Sequence, residues 1–277
     1  MRKIVPALLL ALAAGSTSLT TGCAGGRSVT GTAPGDQKWE TAPGMTAGMD
    51  THLQYGDPAV GPYQVLIKFP AGTTVQPHYH KADEFAVVTS GTVLIGEGHA
   101  VDESKAKEVG PGGYFLIPAG TAHWAKCTAE AVIARFGNGP REMTPCGAEK
   151  PAPKAAGVTA VKAGDVPWKD AADLAAGAKS CVTYGDPTKG AHVFRLTFPA
   201  GVVRPPHWHS ADECVTILSG KMMIGEGKQV DESKGIALGA GGYFIVPAGV
   251  PHWLVAKETS VFSVTINGPR DVFYVKQ

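Results

Sequence analysis

Two histidines one residue apart, with a glutamate four residues beyond the second, occur twice in this chain. They are His78, His80 and Glu84 in PHYHKADEF, and His207, His209 and Glu213 in PPHWHSADEC. Side chains alternate along a strand, so each pair of imidazoles shares one face. The glutamate has the same parity and joins them if the strand continues or bends gently. A further ligand has to come from elsewhere. His123 and His252 are the candidates, at matching places after PAGTA and PAGVP. The Pro and Gly there read as a tight turn that delivers a histidine from a neighbouring strand. Three imidazoles and one carboxylate suit Mn, Fe, Co, Ni, Cu or Zn better than Ca or Mg, one divalent transition metal per site. Four protein ligands leave one or two octahedral positions for water, dioxygen or a carboxylate, which the metal would polarise or activate.

What positions these residues is a module written twice. Shifted by 129 residues, positions 36–141 align without a gap to 165–270, and 46 of the 106 pairs are identical. YGDP, FPAG, IGEG, VDESK, GGYF and NGPR all recur in register. A match of that length is a duplicated domain, and its period is far too long for a solenoid. Six of the nine histidines fall at equivalent places; His52, His99 and His192 have no histidine counterpart and are read as structural. The segments YQVLIKF, FAVVTS, TVLIG, YFLIP and AVIARF, with their second-module equivalents, are short, β-branched or aromatic, and punctuated by Gly, Pro and Asp. They predict strands in a sandwich or barrel. The Ala-rich stretches 41–50 and 169–178 are read as a turn or two of helix. Two such modules are expected to pack on each other or on a second chain, which leaves a homo-oligomer open. The GEG glycines are expected to supply positive φ or relief from crowding.

Residues 1–23 read as an export segment: Arg2 and Lys3, then an apolar run over 4–14 that is too short to span a membrane. Gly22-Cys23 is similar to a lipoprotein attachment box, with Thr20 and Leu19 departing from its usual pattern, so a lipid anchor through Cys23 or ordinary cleavage both stand. The protein is therefore expected to be exported, either periplasmic or lipid-anchored at the cell envelope. Residues 24–35 read as a spacer, 36–146 as the first domain, 147–164 as an Ala/Pro/Lys-rich linker and 165–277 as the second domain. With a formal net charge of +1 and no basic stripe, nothing points to nucleic acid. The expected partner is a small-molecule ligand or substrate. Cys127, Cys146, Cys181 and Cys214 form no CxxC pair; simple burial or one structural bridge is expected. No GxSxG elbow supports a serine hydrolase.

The histidine pattern resembles the cupin superfamily. Gly72, His78, His80, Glu84 and Gly91 match its first motif in full, as do Gly201, His207, His209, Glu213 and Gly220. Gly112, Pro118, Gly120 and His123, and likewise Gly241, Pro247, Gly249 and His252, match the second, whose final Asn is replaced by Cys127 and Ala256. The resemblance covers about residues 55–140 and 184–269. It implies an all-β bicupin of two tandem jelly-roll β-barrels, each with a metal near one mouth, and its layout is similar to that of oxalate decarboxylases, which implies manganese among the candidate metals. It also implies a role for Arg204, since an arginine at that place in those enzymes grips the substrate carboxylate, as a guanidinium is shaped to do. Val75 stands at the matching place in module one. Strict alternation would put Arg204 on the face opposite His207; Pro205 and Pro206 break that regularity by an amount the sequence does not fix. An exported metalloenzyme acting on a small carboxylate or oxygenated organic molecule (decarboxylase or oxygenase type) is expected. A binding or sensing cupin without turnover, or a structural cupin, are the alternatives.

Overall fold

The computed structural model describes residues 27–41, 48–147 and 157–276. The export segment, Cys23 and most of the first Ala-rich stretch lie outside them. Each module is built from a seven-stranded and a five-stranded antiparallel sheet. In module one the larger sheet runs Thr159–Val161, Tyr114–Ile117, Glu84–Ser90, Ala131–Asn138, Pro62–Phe69, Asp50–Gly56, Glu40–Thr41. The smaller runs Thr144–Pro145, Thr74–Tyr79, His123–Lys126, Val93–Glu97, Lys107–Val109. Module two repeats both orders. Val65, Ile67 and Val88 of one sheet share a core with Val75, Ile95 and Ala125 of the other, so the sheets pack face to face.

The expected closed barrel is not formed. Among the described residues no ladder joins the five-stranded to the seven-stranded sheet, and each module is an open two-sheet sandwich. Edge strands such as Glu40–Thr41 and Thr144–Pro145 are two residues long, too short to carry pairing around the corner. Side chains close the interior instead. The second Ala-rich stretch is not helical either: Lys169–Asp170 form a strand, and turns follow in which Ala171 and Ala178 are buried against the module-two core.

The stretches read as spacer and linker hold strands that cross between the modules. Thr30–Thr32, which precedes module one in the chain, extends the module-two sheet along Tyr243–Val246. Thr159–Val161 extends the module-one sheet along Tyr114–Ile117. Arg27 anchors the first arm through a two-point ion pair to Asp212, at 2.7 and 2.9 Å. The outer faces of the two large sheets pack together, with Phe85, Tyr114 and Phe136 against Cys181, Val193 and Leu218. Within this seam Gln64 donates to Gln54 and to Thr216 of the other module, both at 2.8 Å, and accepts from Thr265. The modules therefore pack on each other. Among the described residues the four cysteines are free thiols with no bridge between them; Cys127, Cys181 and Cys214 are buried and Cys146 is half-buried.

Candidate metal centres

In each module the paired histidines straddle the end of one strand, and the third histidine stands directly across the ladder from the first: His78 opposite His123, His207 opposite His252. The glutamate does not continue that strand. Thr74–Tyr79 stops before His80, the chain crosses to the other sheet, and Glu84 opens a strand there; Glu213 does the same in module two. The centre thus sits between the two sheets. The ligand nitrogens of His78, His80 and His123 lie within 4.8 Å of one another, as do those of His207, His209 and His252.

The turn that delivers the third histidine is pinned at two points. Gly120 donates to the His80 carbonyl at 2.7 Å, and Ala119 to the Asp83 carboxylate at 2.8 Å. Gly249 and Ala248 repeat these bonds to His209 and Asp212, at 2.8 and 2.7 Å. The carboxylates beside the ligand glutamates therefore position the turn. A glycine finishes the job. Gly96 lies across the ladder from Trp124 and Gly225 from Trp253, and a Cβ on either would meet the indole at 2.2 or 2.0 Å. Both indoles are fully buried, so they pack the core and do not wall a pocket. Gly98 serves the other need, with φ of +118°. Gly225→Ala is expected to displace Trp253 together with the adjoining His252. Overpacking of this kind costs about 1–3 kcal/mol, which calorimetric melting of the metal-free variant would read, and the module-two metal should be lost with it.

All six imidazoles are oriented by backbone carbonyls. His78, His123, His207 and His252 each donate Nδ1–H to the carbonyl two residues back, at 2.7–3.1 Å. His80 and His209 donate to the carbonyls of Glu142 and Asp271, in the loops after NGPR. With Nδ1 engaged in this way, Nε2 is the ring atom each neutral imidazole offers to a metal, although in His207 it accepts from Arg204. The pocket fits a cation in two further respects. His252 Nε2 is buried with no hydrogen-bond partner. His80 Nε2 faces the Glu84 carboxylate at 2.8 Å, so a nitrogen and an oxygen that a metal can bind together already stand side by side. Burial disfavours the charged form of His78, His123, His207 and His252: it pushes His123 down to about 3, helped by the His78 charge, and His207 down to about 2, helped by His252 and Arg204.

Arg204 is inside. The ladder slips between Arg204 and His207, pairing Arg204 with Leu254 and His207 with His252, so the two-proline segment takes one residue more than its partner. That bulge reverses the parity and turns Arg204 toward the site. It is 4% exposed, its Nε donates to His207 Nε2 at 3.0 Å, and its Nη1 is buried with no partner. Tyr79 and Trp208 point away, and Trp208 stacks on Phe273 with centroids 4.2 Å apart.

The sequence reading missed two arginines. Arg270, from the repeated NGPR, lines the module-two cavity with Arg204, His207, His209 and Glu213, its guanidinium 4.3 Å from the Phe194 ring centre. Burial lowers the pKa of both arginines, and the Arg204 charge lowers that of Arg270 further. In module one Arg135 reaches Glu84, with Nε 2.9 Å from the carboxylate. Its signal was a charged residue at an inward position of AVIARF, where module two has Val264.

A duplicated two-sheet β protein with three histidines and one glutamate gathered in each copy, one divalent transition-metal centre per domain, is a bicupin. The chain belongs to the cupin family: residues 65–136 match the Cupin domain model and 185–272 the Cupin model, together more than half of the chain. No curated protein matches it. Among solved structures, a presumed dioxygenase from Nostoc punctiforme is 17% identical with a TM-score of 0.69, over 91% of this chain and 88% of that one. The Lactobacillus farciminis oxalate decarboxylase, solved as a formate complex, is 13% identical with a TM-score of 0.58, over 89% and 88%. The Bacillus subtilis oxalate decarboxylase is 16% identical with a TM-score of 0.55, over 91% and 80%. At these identities the likeness is one of fold.

Proposed function

We propose that this protein is an exported metalloenzyme that binds a small carboxylate at the module-two centre and decarboxylates or oxidises it. The observation that carries this is Arg204: a permanently charged side chain, almost fully buried beside a ligand histidine, with Nη1 unpartnered. Such a donor is costly unless an acceptor arrives. A carboxylate is the acceptor whose shape a guanidinium fits. The solved relatives described as oxalate decarboxylase and dioxygenase support the chemistry. Export, with or without a lipid on Cys23, rests on the sequence alone and belongs to the same proposal.

His207, His209, His252 and Glu213 would hold the metal, which supplies a Lewis acid to a bound carboxylate or oxygen. Arg204 would release His207 and turn its Nε–H and Nη1 toward the substrate. Leu174, Phe194, Leu254, Phe262 and Val264 wall the cavity with hydrocarbon and exclude water from the charged end. Arg270, above Phe194, adds a second positive charge to the same cavity.

One observation favours a second reading, a carboxylate-binding protein without turnover. Apart from the ligand residues and the two arginines, no titratable side chain among the described residues lines this cavity. Arg204→Gln separates the two. Calorimetric titration of the metal-loaded protein with formate, oxalate and longer carboxylates should show at least a tenfold loss of affinity in the variant, and about threefold or more even in Arg204→Lys. Carbon dioxide release or oxygen uptake that disappears in Arg204→Gln establishes the enzyme. Binding without either establishes the second reading, and wild-type protein that binds no carboxylate overturns both.

A further inference from the structure

Besides the repeated NGPR arginines, Arg141 and Arg270, each module carries one arginine over its histidine cluster that is 4% exposed, but from a different strand. Arg204 and Val264 in module two correspond to Val75 and Arg135 in module one, so the cation and the valine have changed places. The consequences differ. Arg204 touches a neutral histidine, and its Nη1 has no partner. Arg135 is held at two points, its Nε on the Glu84 carboxylate at 2.9 Å and its Nη1 donating to the Tyr63 hydroxyl. It is 4% exposed and lies on the strand next to the one that carries Glu84. Tyr63 has no equivalent in module two either, where His192 stands. The carboxylates respond. Glu84 is drawn to 2.8 Å from His80 Nε2, whereas Glu213 stands 3.4 Å from His209 Nε2 and 3.9 Å from His252 Nε2.

We infer that Arg135 is a built-in counter-ion that makes module one the weaker of the two metal centres. A divalent ion bound by Glu84 must share that carboxylate with a fixed guanidinium. Buried like charge repels an ion in both modules, from Arg204 and Arg270 in module two, so what sets module one apart is the ligand carboxylate that Arg135 already holds. Arg204 swings off His207 by giving up one hydrogen bond to a neutral acceptor; Arg135 leaves Glu84 only by breaking a buried ion pair. Arg135 is a positioning residue in this account, and the inference stands whether or not module two turns over a carboxylate.

The test uses the full chain and Zn²⁺ titrated against a competing chelator. His207→Ala/His209→Ala leaves only the module-one centre, and His78→Ala/His80→Ala only that of module two. Module one is expected to bind Zn²⁺ at least tenfold more weakly; equal affinities, or a tighter module one, overturn the inference. In the background that keeps module one, Arg135→Gln retains a hydrogen-bonding side chain without the charge and should tighten Zn²⁺ at least tenfold. Arg135→Lys keeps the charge and should stay near the parent. Arg135→Gln that binds no more tightly than the parent shows that the arginine presents Glu84 to the metal, and likewise overturns the inference. Where a variant at 135 does not fold, the comparison of the two single-centre proteins decides alone.

Discussion

Replacing His207 and His209 together by alanine should remove the module-two metal and leave the fold standing. Elemental analysis after reconstitution should read two ions per chain in the parent and one in the variant, with His78→Ala/His80→Ala giving the complementary loss. The reason is cooperative ligand geometry. Both imidazoles arrive already oriented by backbone carbonyls at Pro205 and Asp271, so the metal gains two neutral donors without ordering them. Without them only His252 and Glu213 remain, too few to compete with water for a transition metal. The fold should survive because the core beneath is built from Phe198, Ile217, Phe262 and Ile266, and the ladder bonds are made by backbone. Retention of two ions in this variant would remove the module-two centre from the functional argument altogether.

The eight ligands could be read from the sequence because their signals are local. A one-residue spacing fixes two side chains on one strand face whatever the strand packs against, and a Pro-Ala-Gly turn brings the third histidine back across the ladder. What depended on nonlocal pairing could not be read. The parity of Arg204 turned on a bulge opposite Leu254 and His252, and nothing in VRPPHW states how many residues the partner strand supplies. Glu84 and Glu213 were read along the histidine strand, whereas the KAD and SAD residues carry the chain to the other sheet. The three-residue arms Thr30–Thr32 and Thr159–Val161 find their partners 215 and 43 residues away, counting from Thr30 to Ile245 and from Thr159 back to Leu116. Their composition is that of a spacer; only the exposed edge of the other module makes them strands. Arg135 and Arg270 were visible as repeat differences and repeat identities, but their meaning required the distances to Glu84 and to the cavity.

Acid should unfold the metal-free protein over a pH range in which the metal-loaded protein still resists. The folded-state pKa is about 3 for His123 and about 2 for His207, well below the ordinary histidine value near 6.5, chiefly because burial disfavours the imidazolium. Below about pH 6.5 the unfolded chain therefore takes up protons that the folded chain refuses, and stability falls as pH falls. It is fully present above about 6.5, and the decline for each group ends only at its folded value. Between pH 6.5 and 4.5 each of these two histidines costs about 2 kcal/mol, or roughly 4–5 together, a large share of the 5–15 kcal/mol that holds a typical domain. His78 and His252 are shifted in the same direction and add to it. Burial alone would raise Glu84, but Arg135 and His80 outweigh it and hold its pKa well below the ordinary value, so its contribution is also present at neutral pH and is lost on acidification. A metal that binds the Nε2 lone pairs stabilises the folded state by mass action and moves the transition to lower pH, until protons displace it. Circular dichroism followed from pH 8 to pH 3, with and without Zn²⁺, should show a metal-free midpoint at least one pH unit above the metal-loaded one. The metal-free His207→Ala/His209→Ala protein supplies the internal control: with His207 gone, its midpoint should move down toward the metal-loaded value. Coincident midpoints in all three samples would mean that the buried imidazoles are not what acid attacks.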